Sequence, residues 1–177
     1  MNIIETERLI LRPWREDDAA DLFKYASDPR IGPCCGWVPH ADVTASLDVL
    51  RKVLIDEHTW AVTIKGSDEP IGSVSYFNSR NSRPAGEPEI GYWLGVPFWG
   101  HGYIPEAVRA VAERVFQDGH RNVWCAHFEE NDRSRRVIEK CGFTYQFTEP
   151  WRSTETGEEH ISRFYRLSVL ERERISV

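Results

Sequence analysis

Apolar positions in this chain change period several times, and the changes mark out elements. Over residues 7–13, Leu9 and Leu11 alternate with Arg8, Ile10 and Arg12, the pattern of a strand that Pro13 stops. From Arg15 to Ala26 the spacing turns helical. Ala19, Leu22, Phe23 and Ala26 share a stripe, and the acids Glu16, Asp17 and Asp18 fill the first turn, where the helix dipole favours them. Residues 28–42, rich in Gly and Pro, read as a loop; Val43 to Ile55 read as a second helix with Val43, Leu47, Leu50 and Leu54 on one face. This pair of helices separates the first strand from the sheet. Three strands follow as a meander, Trp60 to Ile64, Ile71 to Phe77 and Glu89 to Leu94, with turns at 66–68 and 78–88.

The next helix opens at Trp99-Gly100-His101-Gly102-Tyr103 and carries Ile104, Ala107, Val108, Val111, Val115 and Phe116 on its apolar face, against Glu106, Arg109 and Glu113 on its polar one. A strand over 122–128, a helix from Asp132 to Cys141 and a hairpin from Phe143 through Thr156-Gly157 to Leu167 complete the pattern. Strands followed by strand–helix–strand–helix–strand predict a mixed sheet with helices on both faces, and parallel pairing with a right-handed crossover around the glycine loop. At 177 residues, 41% of them hydrophobic, the chain is long enough for one domain over 1–177 and too short for two comfortable ones.

Charge narrows the partners only a little. A net charge of −6 argues against nucleic acid and modestly favours a cationic partner such as an amine, though mild acidity also serves solubility alone. Met1 to Thr6 holds no apolar signal core and no long apolar run follows, so a soluble, cytoplasmic protein without membrane contact is expected. Cys34, Cys35, Cys125 and Cys141 lack the spacing of a metal site, and no metal is expected. They read as free thiols in a reducing compartment, with Cys125 and Cys141 as small core fillers.

Two motifs carry chemistry. In the first, Gly100 and Gly102 let an anion approach the backbone N–H groups of a helix N-terminus. The bland alternative is a tight turn, and without Gly-Lys-Ser/Thr there is no P-loop. In the second, Asn131-Asp132-Arg133-Ser134 opens the helix that ends at Cys141-Gly142-Phe143. Ser134, Val137, Ile138 and Cys141 fall at i, i+3, i+4 and i+7, so the hydroxyl shares the inward stripe. Asn131 suits a helix cap and Gly142 a helix stop, and an inward serine can equally bond backbone. Glu89, starting the strand before the glycine loop, is the leading general base, with His127, Glu149 and Glu155 behind it; an exposed strand-end carboxylate is its plain alternative.

Together these motifs and the order of elements resemble the GNAT superfamily of acetyl-CoA-dependent N-acetyltransferases over essentially the whole chain, most closely the branch that acetylates ribosomal-protein N-termini. The resemblance implies an α+β fold: a single GNAT-like domain with a central mixed, mostly antiparallel sheet of six to seven strands flanked by about four helices. It implies acetyl-CoA as cosubstrate, held at its pyrophosphate by the amides of Phe98, Trp99, Gly100, His101, Gly102 and Tyr103. An oxyanion would be met by a backbone N–H near Leu94 or Gly95, and Asn131 and Ser134 would lie at the thioester, with Ser134 facing the CoA sulfur. The chain departs from the superfamily pattern at Pro97, where many members have Arg or Gln, and at His101, often Lys. Ile138 stands where many carry a tyrosine acid. Trp37, His40 and Trp151 fall on segments that line the acceptor side in relatives.

The resemblance therefore implies transfer of acetyl to a primary amine by direct attack in a ternary complex. A protein N-terminal α-amine is the first choice of acceptor. A small amine such as a polyamine, amino compound or antibiotic is the runner-up, and a non-catalytic acyl-CoA sensor is a rival from another class. Relatives often form dimers, and no motif here specifies a homodimer.

Overall fold

Residues 3–79, 81, 83–153 and 156–175 are described by the computed structural model. Among them the chain runs β1 (Ile4–Glu5), β2 (Leu9–Pro13), α1 (Ala19–Ala26), α2 (Val43–Val49), β3 (Thr59–Ile64), β4 (Pro70–Asn78), β5 (Pro88–Leu94), α3 (Tyr103–Gln117), β6 (Asn122–Phe128), α4 (Asp132–Lys140), β7 (Thr144–Arg152), β8 (Glu159–Ser168) and α5 (Val169–Ile175). The strands are hydrogen-bonded in the order β1-β2-β3-β4-β5-β6-β8-β7. Pairing is antiparallel from β1 to β4 and again from β6 through β8 to β7, whereas β5 and β6 run parallel, with Glu89 opposite Trp124 and Ile90 opposite Cys125.

The element order predicts a mixed sheet and the family resemblance a mostly antiparallel α+β one; the structure has that architecture, with eight strands in place of six to seven and five α-helices in place of about four. The additional strand, β1, is two residues long and offers no alternation to read. The additional helix, α5, did carry a signal: Ser168 and Glu171 form a reciprocal cap, the Glu171 amide donating to Ser168 Oγ and the Ser168 amide to Glu171 Oε2. The first strand is not set apart from the sheet by α1 and α2. Leu11 of β2 lies opposite Val62 of β3, so the helical pair connects two neighbouring antiparallel strands.

Helix bounds differ for local reasons. The segment expected to be helical from Arg15 begins with a 3₁₀ turn at Glu16–Asp18, and only then α1. The second helix is α only to Val49; the Ile55 amide then reaches back to the Leu50 carbonyl, an i→i−5 bond that makes its last turn a π-turn. Asn131 caps α4 by accepting from the Ser134 amide at 3.1 Å. The helix stops at Gly142, whose φ of +84° is the left-handed conformation a closing residue needs. The Gly142 and Phe143 amides return to the Glu139 and Ile138 carbonyls, and Phe143 and Ile138 are both buried, completing a Schellman stop.

The chain divides into two compact units, Met1–Ser75 with Tyr92–Ala107 and Tyr76–Gly91 with Val108–Val177. In the first, Trp14, Ala19, Leu22, Ala26, Leu50 and Ala61 form a core cluster, with Trp37, Leu47, Leu54 and Trp93 packed against it. Here the strand alternation fails in one place: Arg12, expected on the polar face of β2, is only 3% exposed. Its guanidinium grips buried Asp18 through two 2.8 Å bonds and Asp68 through a third at 2.7 Å. Those partners raise the Arg12 pKa, led by its hydrogen bonds to Asp18, with burial opposing. In the second unit Phe147 stacks on Phe164 and tilts against Trp124, while Trp124 and Asn122 both donate to the Glu87 carboxylate. Cys125 and Cys141 are buried there as small core residues, and none of the four cysteines forms a disulfide.

Candidate active site

In the first unit β5 ends at Leu94 and passes into a 3₁₀ turn, Val96–Phe98, before α3. Within that turn the Phe98 amide donates to the Gly95 carbonyl and the Trp99 amide to Val96, while the Gly95 amide donates to Ile71 at 2.8 Å. Three of the backbone donors that the family resemblance suggests are thus engaged, Phe98 and Trp99 within the turn and Gly95 with β4. The Trp99 indole N–H adds a 2.8 Å bond to the Leu94 carbonyl. Gly100 and Gly102 follow at φ +82° and +79°, conformations that side chains with a Cβ rarely adopt. The amides of Gly100, His101 and Gly102 find no acceptor among the described residues. They precede α3, where the first N–H groups of a helix have no intrahelical partner. The exposed His101 ring stacks on Tyr103 at 5.7 Å.

Trp37 and His40 meet in this unit at 5.3 Å between ring centroids; Trp37 also packs edge-on to Trp93, and His40 Nδ1 lies 2.8 Å from Ser46 Oγ. They form an aromatic group together with Trp14, which stacks on Trp93.

Glu89, Asn131, Ser134 and Trp151 belong to the second unit. Glu89 accepts a short hydrogen bond from the Ser79 hydroxyl. Burial raises its pKa, and the Ser79 bond opposes that only in part, so Glu89 is not the ordinary exposed carboxylate of a strand end. Ser79, 2% exposed, is a partner that no motif marked; its place ten residues before Glu89, across the β4–β5 connection, was the available hint. Ser134 is half-buried beside buried Ile138 on the inward stripe of α4. Trp151 joins a separate group with Phe128 and His160.

The other bases suggested by the sequence are otherwise engaged. His127 is buried, its Nδ1 2.7 Å from the Phe128 carbonyl and its Nε2 3.3 Å from the Tyr165 hydroxyl. A carbonyl only accepts, so Nδ1 carries the hydrogen and Nε2 accepts from Tyr165. Burial lowers the His127 pKa and keeps the ring neutral. Glu149 is ion-paired with Arg83, and Glu155 lies outside the described residues. Among the described residues no His, Cys, Asp and Glu cluster suits a metal ion, and no helix is long and apolar enough to cross a membrane.

The family model of the acetyltransferase (GNAT) domain matches residues 8–144. The chain belongs to the GNAT acetyltransferase family. It is similar to a curated protein from Bacillus licheniformis named as an uncharacterized N-acetyltransferase, p20, at 29% identity over 98% of both chains. A second relative, the uncharacterized N-acetyltransferase YoaA of Bacillus subtilis (strain 168), is 26% identical over 80% of this chain and 82% of its own. In fold, a GNAT acetyltransferase from Bacillus anthracis superposes with a TM-score of 0.81 at 20% identity, covering 94% of this chain and 98% of that one. A structure from Vibrio cholerae, assigned as a candidate ribosomal-protein-serine acetyltransferase, reaches 0.76 at 20% identity, covering 94% of this chain and 97% of that one.

Proposed function

We propose that this GNAT protein transfers an acetyl group from acetyl-CoA to a primary amine, with the α-amine of a protein N-terminus as first choice. The reading is carried by the amides of Gly100, His101 and Gly102, three backbone donors with no acceptor among the described residues, at the head of a fifteen-residue helix. A Cβ built at Gly100 would meet nothing within 4 Å, so the backbone there is open to approach. Donors of this kind suit a diphosphate, since the helix dipole adds to their attraction for an anion. The N–H of Tyr103 joins them, while those of Phe98 and Trp99 shape the turn.

When bound, acetyl-CoA supplies the activated thioester and a thiolate leaving group. Glu89 takes the amine proton, directly or through water, and its raised pKa brings it closer to that of the group it deprotonates. An α-amine, with a pKa of about 8 against about 10.4 for a lysine, needs less help from such a base. The Leu94 N–H steadies the carbonyl oxygen as charge develops there, the Gly95 N–H being engaged with Ile71. Ser134 offers its hydroxyl to the departing sulfur; the isoleucine at 138 has none to offer. Asn131 orients the start of α4, and Trp37, His40 and Trp151 receive the acceptor. The assignment of the Vibrio cholerae structure as a candidate ribosomal-protein-serine acetyltransferase is in keeping with a protein acceptor.

Titration calorimetry with acetyl-CoA, with dephospho-CoA as control, followed by thiol release against N-terminal peptides and small amines, tests the whole reading. Binding with release on peptides is the expected result. Release only on small amines reassigns the acceptor, binding without release on any amine favours an acyl-CoA sensor, and absence of binding overturns the reading of the glycine loop.

A further inference from the structure

The first unit holds a polar network whose members lie far apart in sequence. Arg8, beside β2, donates Nη1 to the His101 carbonyl at 2.9 Å and Nε to Glu106 at 2.7 Å, and its guanidinium carbon lies 4.8 Å from the Tyr103 ring centroid. Glu106, in the first turn of α3, also accepts from the Arg8 amide at 2.8 Å and from the Thr6 hydroxyl at 2.6 Å. One carboxylate therefore anchors the chain before β2 to the first turn of α3, and one guanidinium reaches from it to the glycine loop.

The bond to the His101 carbonyl matters because of peptide planarity. The carbonyl of His101 and the amide of Gly102 belong to one trans peptide unit and point in opposite directions. Holding the carbonyl fixes where the Gly102 N–H points. From this geometry we infer that Arg8 is a positioning residue for acetyl-CoA: it pins the His101–Gly102 peptide so that the Gly102 N–H faces away from Arg8, toward the diphosphate. Glu106 and Thr6 hold Arg8 in place. The inference rests on the glycine loop being the phosphate site. It assigns Arg8 no contact with the ligand, since its guanidinium is already shared between Glu106 and the loop carbonyl.

Planarity makes the role specific to arginine. A lysine ammonium keeps the charge but lacks the fork that meets a carboxylate and a carbonyl at fixed angles. The test compares wild type with Arg8→Gln, Arg8→Lys and Glu106→Gln in acetyl-CoA titration and in steady-state kinetics with acetyl-CoA and with S-acetylpantetheine, which lacks the diphosphate. Thermal unfolding of each variant runs alongside. Arg8→Gln and Arg8→Lys are both expected to raise the Kd and KM for acetyl-CoA about tenfold, with kcat and the kinetics on S-acetylpantetheine unchanged. Glu106→Gln is expected to give a smaller rise of the same kind.

Equal acetyl-CoA affinity in wild type and Arg8→Gln overturns the inference while leaving the loop assignment standing. Full rescue by Arg8→Lys also overturns it, because charge alone would then suffice. Equal losses on acetyl-CoA and S-acetylpantetheine show general disruption and overturn it as well. A wild type that binds no acetyl-CoA overturns the loop assignment and this inference together.

Discussion

Glu89 accepts from the Ser79 hydroxyl, which favours its charged form, yet burial outweighs that bond and leaves its pKa above the ordinary carboxylate range. A group whose pKa rises on folding adds stability below its unfolded pKa, about 4.3 for a glutamate, and loses that contribution as pH climbs through the folded value. Glu89→Gln is therefore expected to unfold at the same or a higher temperature than wild type at pH 7 to 8, and to show no gain below about pH 4. Melting curves across that range check it. Turnover should move the other way, falling about 10²- to 10⁴-fold, with the deficit narrowing above about pH 8 as an α-amine acceptor loses its own proton. Arg12 presents the opposite case, a charge placed for stability alone. Arg12→Leu would strand Asp18, whose side chain is 8% exposed, and should cost about 3–5 kcal/mol in denaturant unfolding. The double change to Leu at both positions should recover most of the loss, because no buried charge then lacks its partner.

At the scale of elements, α4 joins structure and proposed chemistry at its first turn. Asn131→Ala removes the cap on the Ser134 amide and should destabilise the protein by about 1 kcal/mol, whereas Asn131→Asp keeps an accepting oxygen and should hold stability. Comparing the two by denaturant unfolding and by turnover separates capping from any effect on the reaction. Ser134→Ala, which leaves the backbone cap intact, is expected to lower kcat while acetyl-CoA titrates with unchanged affinity. The cap and the glycine stop of α4 were legible because each depends on residues within one turn. α5 was not read, although Ser168 and Glu171 offered a local capping signal directly after the hairpin. The π-turn after Val49 was not legible, since the apolar stripe of Leu47, Leu50 and Leu54 fits an α-helix equally well.

For the whole molecule, ligand linkage gives the broadest check. If acetyl-CoA binds the folded chain alone, a concentration one hundred times its Kd should stabilise the protein by about 2.7 kcal/mol, seen as a rise in unfolding temperature that S-acetylpantetheine at the same concentration, lacking the diphosphate, reproduces less well. By itself the sequence determined much of what neighbours in the chain decide: the helical stripe of α3, the inward Leu9 and Leu11 of β2, the cap and stop of α4 and the glycine turn before α3. These follow from the 3.6- and 2-residue periods and from backbone geometry, which act over a few residues. Tertiary structure alone decided which polar side chains could be buried or joined. Arg12 meets Asp68 across 56 positions and Arg8 meets Glu106 across 98. It also decided which loop amides were already bonded, since Gly95 reaches Ile71 only where β4 and β5 lie side by side. Such contacts depend on strand order and register, which a local pattern of apolar and polar residues does not specify, and a buried charge is tolerated only where folding delivers its partner.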